Sequence, residues 1–303
     1  MQKNILDCLI VGGGAGGLTA AIYLSRYRRI IEVIDAGQSR LHLIPTSHNY
    51  PGFVDGITGT EFYVRLKDQA IKYGARCTTG MVDTLAKRED GTFVATVGDR
   101  RFFARTIIFA TGVQDIEPDV VGLAEGIESA TVRYCPVCDG FEAIGKRVAI
   151  LGNGEHGLHE AIFLKTYTTD LTLITGGPSR TMDPALVADI DAHAINLINQ
   201  RLLQIACSEI GGVTAGFEDG TTQQFDILYS MLGLNVMSSL AVSLGAICDD
   251  SSQVQVNEHM ESSVKGFYAV GDVAHGLNQI SVATGQAAIA ATAVHNFLRG
   301  DGE

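Results

Sequence analysis

The chain has 303 residues, of which 46% are hydrophobic and 18% charged, a balance that excludes intrinsic disorder as the main state. Its 22 Lys and Arg against 34 Asp and Glu leave a formal charge of −12, so the field of the molecule repels phosphate backbones and anionic lipid, and no nucleic-acid or membrane partner is expected. The length suits two domains of ordinary size, and the 35 glycines fall in clusters rather than at a fixed period, which excludes collagen-like and linker architectures.

Taken from the start, MQKNILDCLIVGGGAGG is an apolar stretch broken by Asp7 and then by glycine, unlike the unbroken apolar segment of a secretion signal. The run Cys8-Leu9-Ile10-Val11 enters Gly12-Gly13-Gly14-Ala15-Gly16-Gly17, and a helical pattern, LTAAIYLSRYRR, leads to a second apolar run, IIEVID. This order predicts strand, glycine turn, helix and strand. Glycines 12, 14 and 17 fit a dinucleotide turn, where backbone N–H groups and a helix N-terminus meet a pyrophosphate. Asp35, closing the second run, is placed to accept from a ribose hydroxyl. The basic run Arg26, Arg28, Arg29 and Arg40 reads as solvated, dipole-favoured cations at a helix end, with Arg40 alone within reach of a cofactor phosphate.

Alternation over 91–97 and 101–104 predicts antiparallel strands around Gly98-Asp99, followed by an apolar strand over 106–109 that ends in Ala110-Thr111-Gly112. The opening arrangement returns at 147–151, with Gly152, Gly154 and Gly157, a helical LHEAIFLKTY and a strand, LTLIT. Eighteen residues after Gly17 stands Asp35, whereas eighteen after Gly157 stands Thr175, so the second unit lacks the ribose-binding acid. Strand and turn signals recur over 217–229. The stretch 266–272 is a strand that delivers Asp272, and 281–298 is an Ala-rich helix beginning near Asn278 or Ser281.

Six cysteines stand at 8, 77, 135, 138, 207 and 248. Only Cys135 and Cys138 are close, which fits a reducing cytoplasm with one chemically active pair. Two thiols at this spacing close a small disulfide, and the lower-pKa thiol attacks a partner. A structural zinc site needs a second close pair, and none is present. Asp139 stands beside Cys138, placed to pass a proton as the dithiol forms. His156 and His159 share a helix face without further ligands, so no metal is expected. Neither an acyl-transfer triad nor a phosphate loop ending in Gly-Lys-Ser/Thr occurs.

With Gly12 through Gly17, His48-Asn49-Tyr50-Pro51-Gly52-Phe53, Ala110-Thr111-Gly112, Cys135-Pro136-Val137-Cys138-Asp139-Gly140, Gly271-Asp272-Val273 and Asn278-Gln279-Ile280, the chain resembles the low-molecular-weight thioredoxin reductases over nearly its whole length. The resemblance implies an α/β fold of two Rossmann-like, three-layer nucleotide-binding domains. Residues 1–113 and 241–303 would form the FAD-binding domain, and 114–240 an inserted NAD(P)-type domain carrying the cysteine pair. It implies an FAD pyrophosphate held by Gly12, Gly14, Ala15 and Gly17 and an adenosine ribose held by Asp35, with Asn49 and Thr111 near the isoalloxazine side; Arg40, Val82, Ala110 and Gly112 are further expected cofactor-binding residues. Gly271 and Asp272 would bind the ribityl chain, and Gln279 and Ile280 the flavin. Cys138 would face the flavin, Cys135 would attack a thioredoxin-like or small disulfide substrate, and Asp139 would donate the proton. Such relatives are homodimers whose inserted domain rotates; the hinges would lie in 113–117 and 233–240.

The sequence departs from that pattern at the donor site. NADPH-using members carry His-Arg-Arg after the second-unit strand, and this chain reads Thr175-Gly176-Gly177-Pro178-Ser179, with Arg180 the only nearby cation. Each lost guanidinium contact removes about 1.5 to 3 kcal/mol, so ordinary NADPH is not the expected donor. The glycines 152, 154 and 157 leave open weak NAD(P)H binding, another nucleotide, or plain helix–strand packing. Four roles therefore stay open: a reductase fed by NAD(P)H, one fed by ferredoxin or another flavin, a small-molecule dithiol oxidase, and a flavin redox sensor with little turnover.

Overall fold

The computed structural model describes residues 5–176, 183–208 and 211–300. The chain divides into two compact units. One comprises Met1–Thr46, Tyr50–Gln114 and Asn235–Glu303; the other comprises Ser47–Asn49 and Asp115–Leu234.

In the first unit the strand Leu6–Val11 lies between Ile31–Asp35 and Arg100–Phe109, parallel to both. Side chains alternate across a strand, and both faces are apolar: Leu9, Val11, Ile107 and Phe109 point into one core, while Cys8, Ile10 and Ile108 point into the other. A sheet buried on both faces needs covering layers on each side. The helices Ala15–Arg26 and Ile280–Arg299 supply one layer, meeting through Ala20, Ala21, Ala287, Ala290 and Ala291. These short side chains let the helices approach closely, and a larger residue at any of them would cost about 1–3 kcal/mol in overpacking. The remaining strands are Arg76–Thr79 and Phe267–Ala269, both parallel, and the antiparallel pair Thr84–Lys87 and Phe93–Val97.

Two expected strands over 101–104 and 106–109 are one ten-residue strand, Arg100–Phe109. Arg105 looks like a break in the apolar pattern, but it takes an exposed position between buried Ala104 and Thr106, in phase with the alternation, so the ladder continues. The expected strand at 266–272 is shorter: it spans Phe267–Ala269, and Asp272 stands in the 3-10 turn Gly271–Val273 that follows. The last helix starts at Ile280, after Gln279, and stops at Gly300 with φ +81°, a conformation that glycine adopts without strain.

The second unit carries a five-stranded parallel sheet in the order Asn196–Ile198, Leu171–Ile174, Val148–Gly152, Ile227–Met231, Val132–Arg133. The helices Gly154–Leu164 and Pro184–Ala192 cover one face through Leu158, Ala161, Leu164 and Ile190. A three-stranded antiparallel layer, Leu202–Cys207, Val213–Phe217 and Thr222–Phe225, covers the other through Ile205, Ala215 and Phe225. Both units are therefore Rossmann-like α/β folds built on a parallel sheet, the second with covering layers on both faces. The chain crosses between them at Val113–Asp115 and Leu234–Val236, and these two strands pair with each other. Among the described residues no helix is long and apolar enough to cross a membrane.

Candidate active site

The glycine turn of the first unit is dictated by space. Gly12 has φ +108°, and a Cβ there would collide with the Ala110 carbonyl oxygen, while one at Gly17 would collide with the Gly12 carbonyl oxygen. At Gly13 an added Cβ would run into the Asp35 side chain, whereas at Gly14 its nearest neighbour is Ser39 Oγ at 3.5 Å. The turn thus threads between strand ends with its outer side open at Gly14. Helix Ala15–Arg26 begins there with no side-chain cap and no acidic residue in its first turn. Its first N–H groups are left for an external acceptor, and the helix dipole favours an anion.

The other expected cofactor residues of this unit gather at the same strand ends. Gly13 is beside Asp35, Gly12 beside Ala110 and Thr111, and Gly16 beside Val270 and Gly271. Asp35 Oδ1 accepts from Gly37 N–H at 2.9 Å and Oδ2 from the Tyr63 hydroxyl at 2.8 Å. Arg40 Nη1 lies 3.1 Å from Asp272 Oδ2. Gly271 N–H donates to Gln286 Oε1 at 2.8 Å, and the Thr111 hydroxyl donates to the Met237 carbonyl at 2.8 Å. Gly112 has φ +67°, and its carbonyl accepts from Met237 N–H at 3.0 Å. Ala15 and Ile280 pack beside Leu41, Ile57 and Phe62, and Gln279 stands at the position just before the last helix, without a side-chain capping bond. Val82 is 8% exposed and part of the core. Asn49 belongs to the second unit, where its Oδ1 accepts from Ser47 at 3.1 Å. Of the basic run, Arg26 stacks on Tyr73 and Arg29 binds His295; only Arg40 is at the site.

An FAD site is implied by the sequence, and the residues present fit one: a glycine cradle that a Cβ at Gly12, Gly13 or Gly17 would obstruct, an uncapped helix start and a polar rim of Asp35, Arg40 and Asp272. Sequence reading missed Tyr63. It is aimed at Asp35 from the helix Gly59–Lys72, and nothing in the local pattern of that helix marks it.

In the second unit Gly152 and Gly157 pack directly on each other, a Cβ on either coming within 2.9 Å of the other's backbone. Helix–strand contact by itself accounts for both. Gly154, with φ +58°, faces open space. Beside it is a cleft of about 620 Å³ whose lining includes Glu155, His159, Thr175, Asp183 and Asp189. Among its described lining residues are three carboxylates and no Lys or Arg. Thr175 is buried at 4% exposure, and its hydroxyl donates to Asn199 Oδ1 at 2.7 Å. Gly177 through Arg180 lie outside the described residues. Among the described residues no group of three His, Cys, Asp or Glu could hold a metal ion.

Cys135 and Cys138 are joined in a disulfide. Pro136, at the first position of the one-turn helix Pro136–Asp139, has its preset φ where a helix start wants it, and the Cys138 N–H returns to the Cys135 carbonyl at 3.0 Å. Gly140 follows, packed so closely on the Tyr167 ring that a Cβ would come within 2.7 Å of it. The other cysteines are free: Cys8 is buried, Cys207 exposed, Cys77 and Cys248 between these extremes.

Asp139 is more than the exposed turn residue its place before glycine suggests. Its side chain is 13% exposed, Oδ1 accepts from the Tyr229 hydroxyl at 2.7 Å, and Oδ2 lies 3.4 Å from Arg133 Nη1. Burial pushes its pKa up, against the opposing pull of Arg133 and of the Tyr229 hydrogen bond, and the nearby Glu142 pushes it up further. A carboxyl group so held keeps its proton to higher pH than a free aspartate, which suits proton exchange with a thiol. Sequence reading missed Arg133 and Tyr229, which sit in strands far apart in sequence and of ordinary composition.

Comparison with known proteins agrees with this geometry. The description "Pyridine nucleotide-disulphide oxidoreductase" matches residues 6–287. The chain is 28% identical to the thioredoxin reductase of Bacillus subtilis strain 168, over 98% of this chain and 96% of that one. To the thioredoxin reductase of Treponema pallidum strain Nichols it is 29% identical, over 96% and 97%. A crystal structure of thioredoxin reductase from Streptococcus pyogenes MGAS5005 superposes with a TM-score of 0.88 at 25% identity, covering 99% of this chain and 100% of that one.

Proposed function

The chain belongs to the pyridine nucleotide-disulphide oxidoreductase family, and from that membership we propose that it is a thioredoxin-reductase-like enzyme that uses FAD and reduces the disulfide of a thioredoxin-like partner through Cys135 and Cys138. The observation that carries this reading is the closed Cys135–Cys138 disulfide beside a buried Asp139 with a raised pKa. We assign FAD binding to the first unit, at Gly12, Gly14, Gly17, Asp35, Arg40 and Asp272. Bound there, FAD supplies a two-electron reductant for a disulfide.

The chain's own residues do the rest. Once the pair is reduced, Cys135 attacks the partner disulfide and Cys138 resolves the mixed disulfide, regenerating the pair. Asp139 gives a proton to the departing thiolate and recovers one from the Cys138 thiol. Val137 and Phe141, 48% and 72% exposed, offer apolar contact to a partner beside the pair. The cysteine usage fits action in a reducing cytoplasm, and the family resemblance implies a homodimer.

The donor is not ordinary NADPH. Among its described lining residues the cleft beside Gly154 carries Glu155, Asp183 and Asp189 and no Lys or Arg, and carboxylates disfavour the phosphate charge of a nucleotide at close range. A protein carrier such as ferredoxin, or another reduced flavin, fits this better. Anaerobic titration of the FAD-loaded protein with NADPH and then NADH tests the point. Flavin absorbance is expected to persist at millimolar nicotinamide and to bleach with reduced ferredoxin; bleaching by stoichiometric NADPH overturns the donor reading. Replacing Cys138→Ser tests the thiol roles, since a covalent adduct with a thioredoxin-like protein should accumulate, and its absence refutes them.

A further inference from the structure

Asp139 is served by two residues that stand opposite each other on neighbouring strands. Arg133 and Tyr229 are register partners in the parallel ladder between Val132–Arg133 and Ile227–Met231. Each reaches a different oxygen of the same carboxyl group, Tyr229 the Oδ1 atom and Arg133 the Oδ2 atom. Arg133 is itself tied down, its Nε donating to the Ala130 carbonyl at 3.0 Å. Tyr229 is fully buried. Its hydroxyl lies 2.7 Å from Asp139 Oδ1 and 3.2 Å from the Asp139 carbonyl oxygen, so two acceptors of one residue flank a single hydroxyl.

We propose that Arg133 and Tyr229 are positioning residues for Asp139, with Tyr229 serving the carboxyl group in both of its protonation states and Glu142 opposing the pair from the following turn. The inference rests on the reading above that Asp139 exchanges protons with the thiols. A hydroxyl proton rotates freely between acceptors. With Asp139 ionised, Tyr229 donates to Oδ1. With Oδ1 protonated, the Tyr229 proton turns to the Asp139 carbonyl and its oxygen accepts from the carboxyl O–H. No heavy atom moves. Arg133 favours the carboxylate and Glu142 disfavours it. One oxygen of Glu142, Oε2, is buried without a hydrogen-bond partner, so its charge is little compensated at that atom. Among the described residues, the charged and titratable groups acting on Asp139 are Arg133 from one strand, Tyr229 from the next and Glu142 from the turn after it, with the two neighbouring thiols when reduced.

The step is balanced. The Cys135 thiolate, its proton given to water, attacks one sulfur of the partner disulfide. One S–S bond forms as another breaks, and the leaving thiolate takes the proton of Asp139. The Cys138 thiol passes its proton to the Asp139 carboxylate and attacks the Cys135 sulfur. The second partner thiolate leaves and takes a proton from water. The pair loses two electrons and the partner disulfide gains two.

The test uses FAD-loaded protein, reduced beforehand, mixed rapidly with an aliphatic disulfide, hydroxyethyl disulfide, whose leaving thiolate is basic enough to need a proton, with released thiol counted after acid quench against pH. The limb of the profile that disappears in Asp139→Asn marks the titration of this carboxyl group. Tyr229→Phe and Arg133→Gln should each move that limb to higher pH, by about half to one unit, since the bond Tyr229 donates to the carboxylate is charge-assisted and stronger than the one it accepts from the protonated group. Arg133→Lys should restore most of the shift. Glu142→Gln should move the limb the opposite way, and it carries the sign test if a variant at the buried tyrosine fails to fold. A limb that stays in place in all variants, or moves the same way in all, overturns this inference alone. If the wild-type protein releases no thiolate at any pH, the exchange reading itself fails and the inference with it.

Discussion

The guanidinium of Arg40 and the carboxylate of Asp272, 232 residues apart in sequence, meet at 3.1 Å with side chains 27% and 20% exposed. The contact joins the first and last segments of a unit whose sequence is interrupted by the second, and it lies at strand ends shared with the glycine turn. Isolated pairs this accessible add little to stability, so the value of the contact is in holding two polar groups at the rim of the cradle. Arg40→Gln and Asp272→Asn are each expected to weaken FAD binding, read by fluorescence titration of the apoprotein. The double variant should lose less than the sum, because neighbouring partners couple by about 0.5–3 kcal/mol. Strict additivity would show that the pair does not act as a unit.

The two glycine turns make a matched comparison. Gly17→Ala places a methyl group against the Gly12 carbonyl in the cradle, and Gly157→Ala places one against the Gly152 backbone in the other unit. Both should cost about 1–3 kcal/mol of stability. Only the first should lower the flavin content of the purified protein, measured as visible against ultraviolet absorbance. Equal flavin loss in both would contradict the assignment of FAD to the first unit.

Much of this was legible beforehand because it is local. Strand, glycine turn and helix follow one another within about twenty-five residues, and the spacing of Cys135 and Cys138 alone announces a closable pair. What escaped depends on register between distant strands. Arg133 and Tyr229 are 96 residues apart, and only the parallel ladder sets both on one carboxyl group; Tyr63 reaches Asp35 from a separate helix. Arg105 misled for a related reason, since a charge inside an apolar run reads as a break until the exposed face of the strand is known.

Cys8 provides a pH prediction. It is fully buried, and burial pushes its thiol from 9.0 to about 12. A folded-state pKa above the unfolded one means that the contribution is intact below pH 9 and is lost as pH rises toward 12, because only the unfolded chain ionises in that window. The slope is about 1.4 kcal/mol per pH unit. Cys8→Val should therefore lose less stability than the wild type between neutral and alkaline pH, in denaturant melts run at each. Parallel losses would show that the thiol titrates alike in both states.

The central claim, that Cys135 and Cys138 exchange electrons with the cofactor of the first unit, is tested most directly by counting electrons. Anaerobic reductive titration of FAD-loaded protein with dithionite should consume four electrons per chain, two for the flavin and two for the disulfide, while Cys138→Ser should consume two. Consumption of two electrons by both proteins would contradict the account, because the disulfide would then be isolated from the flavin.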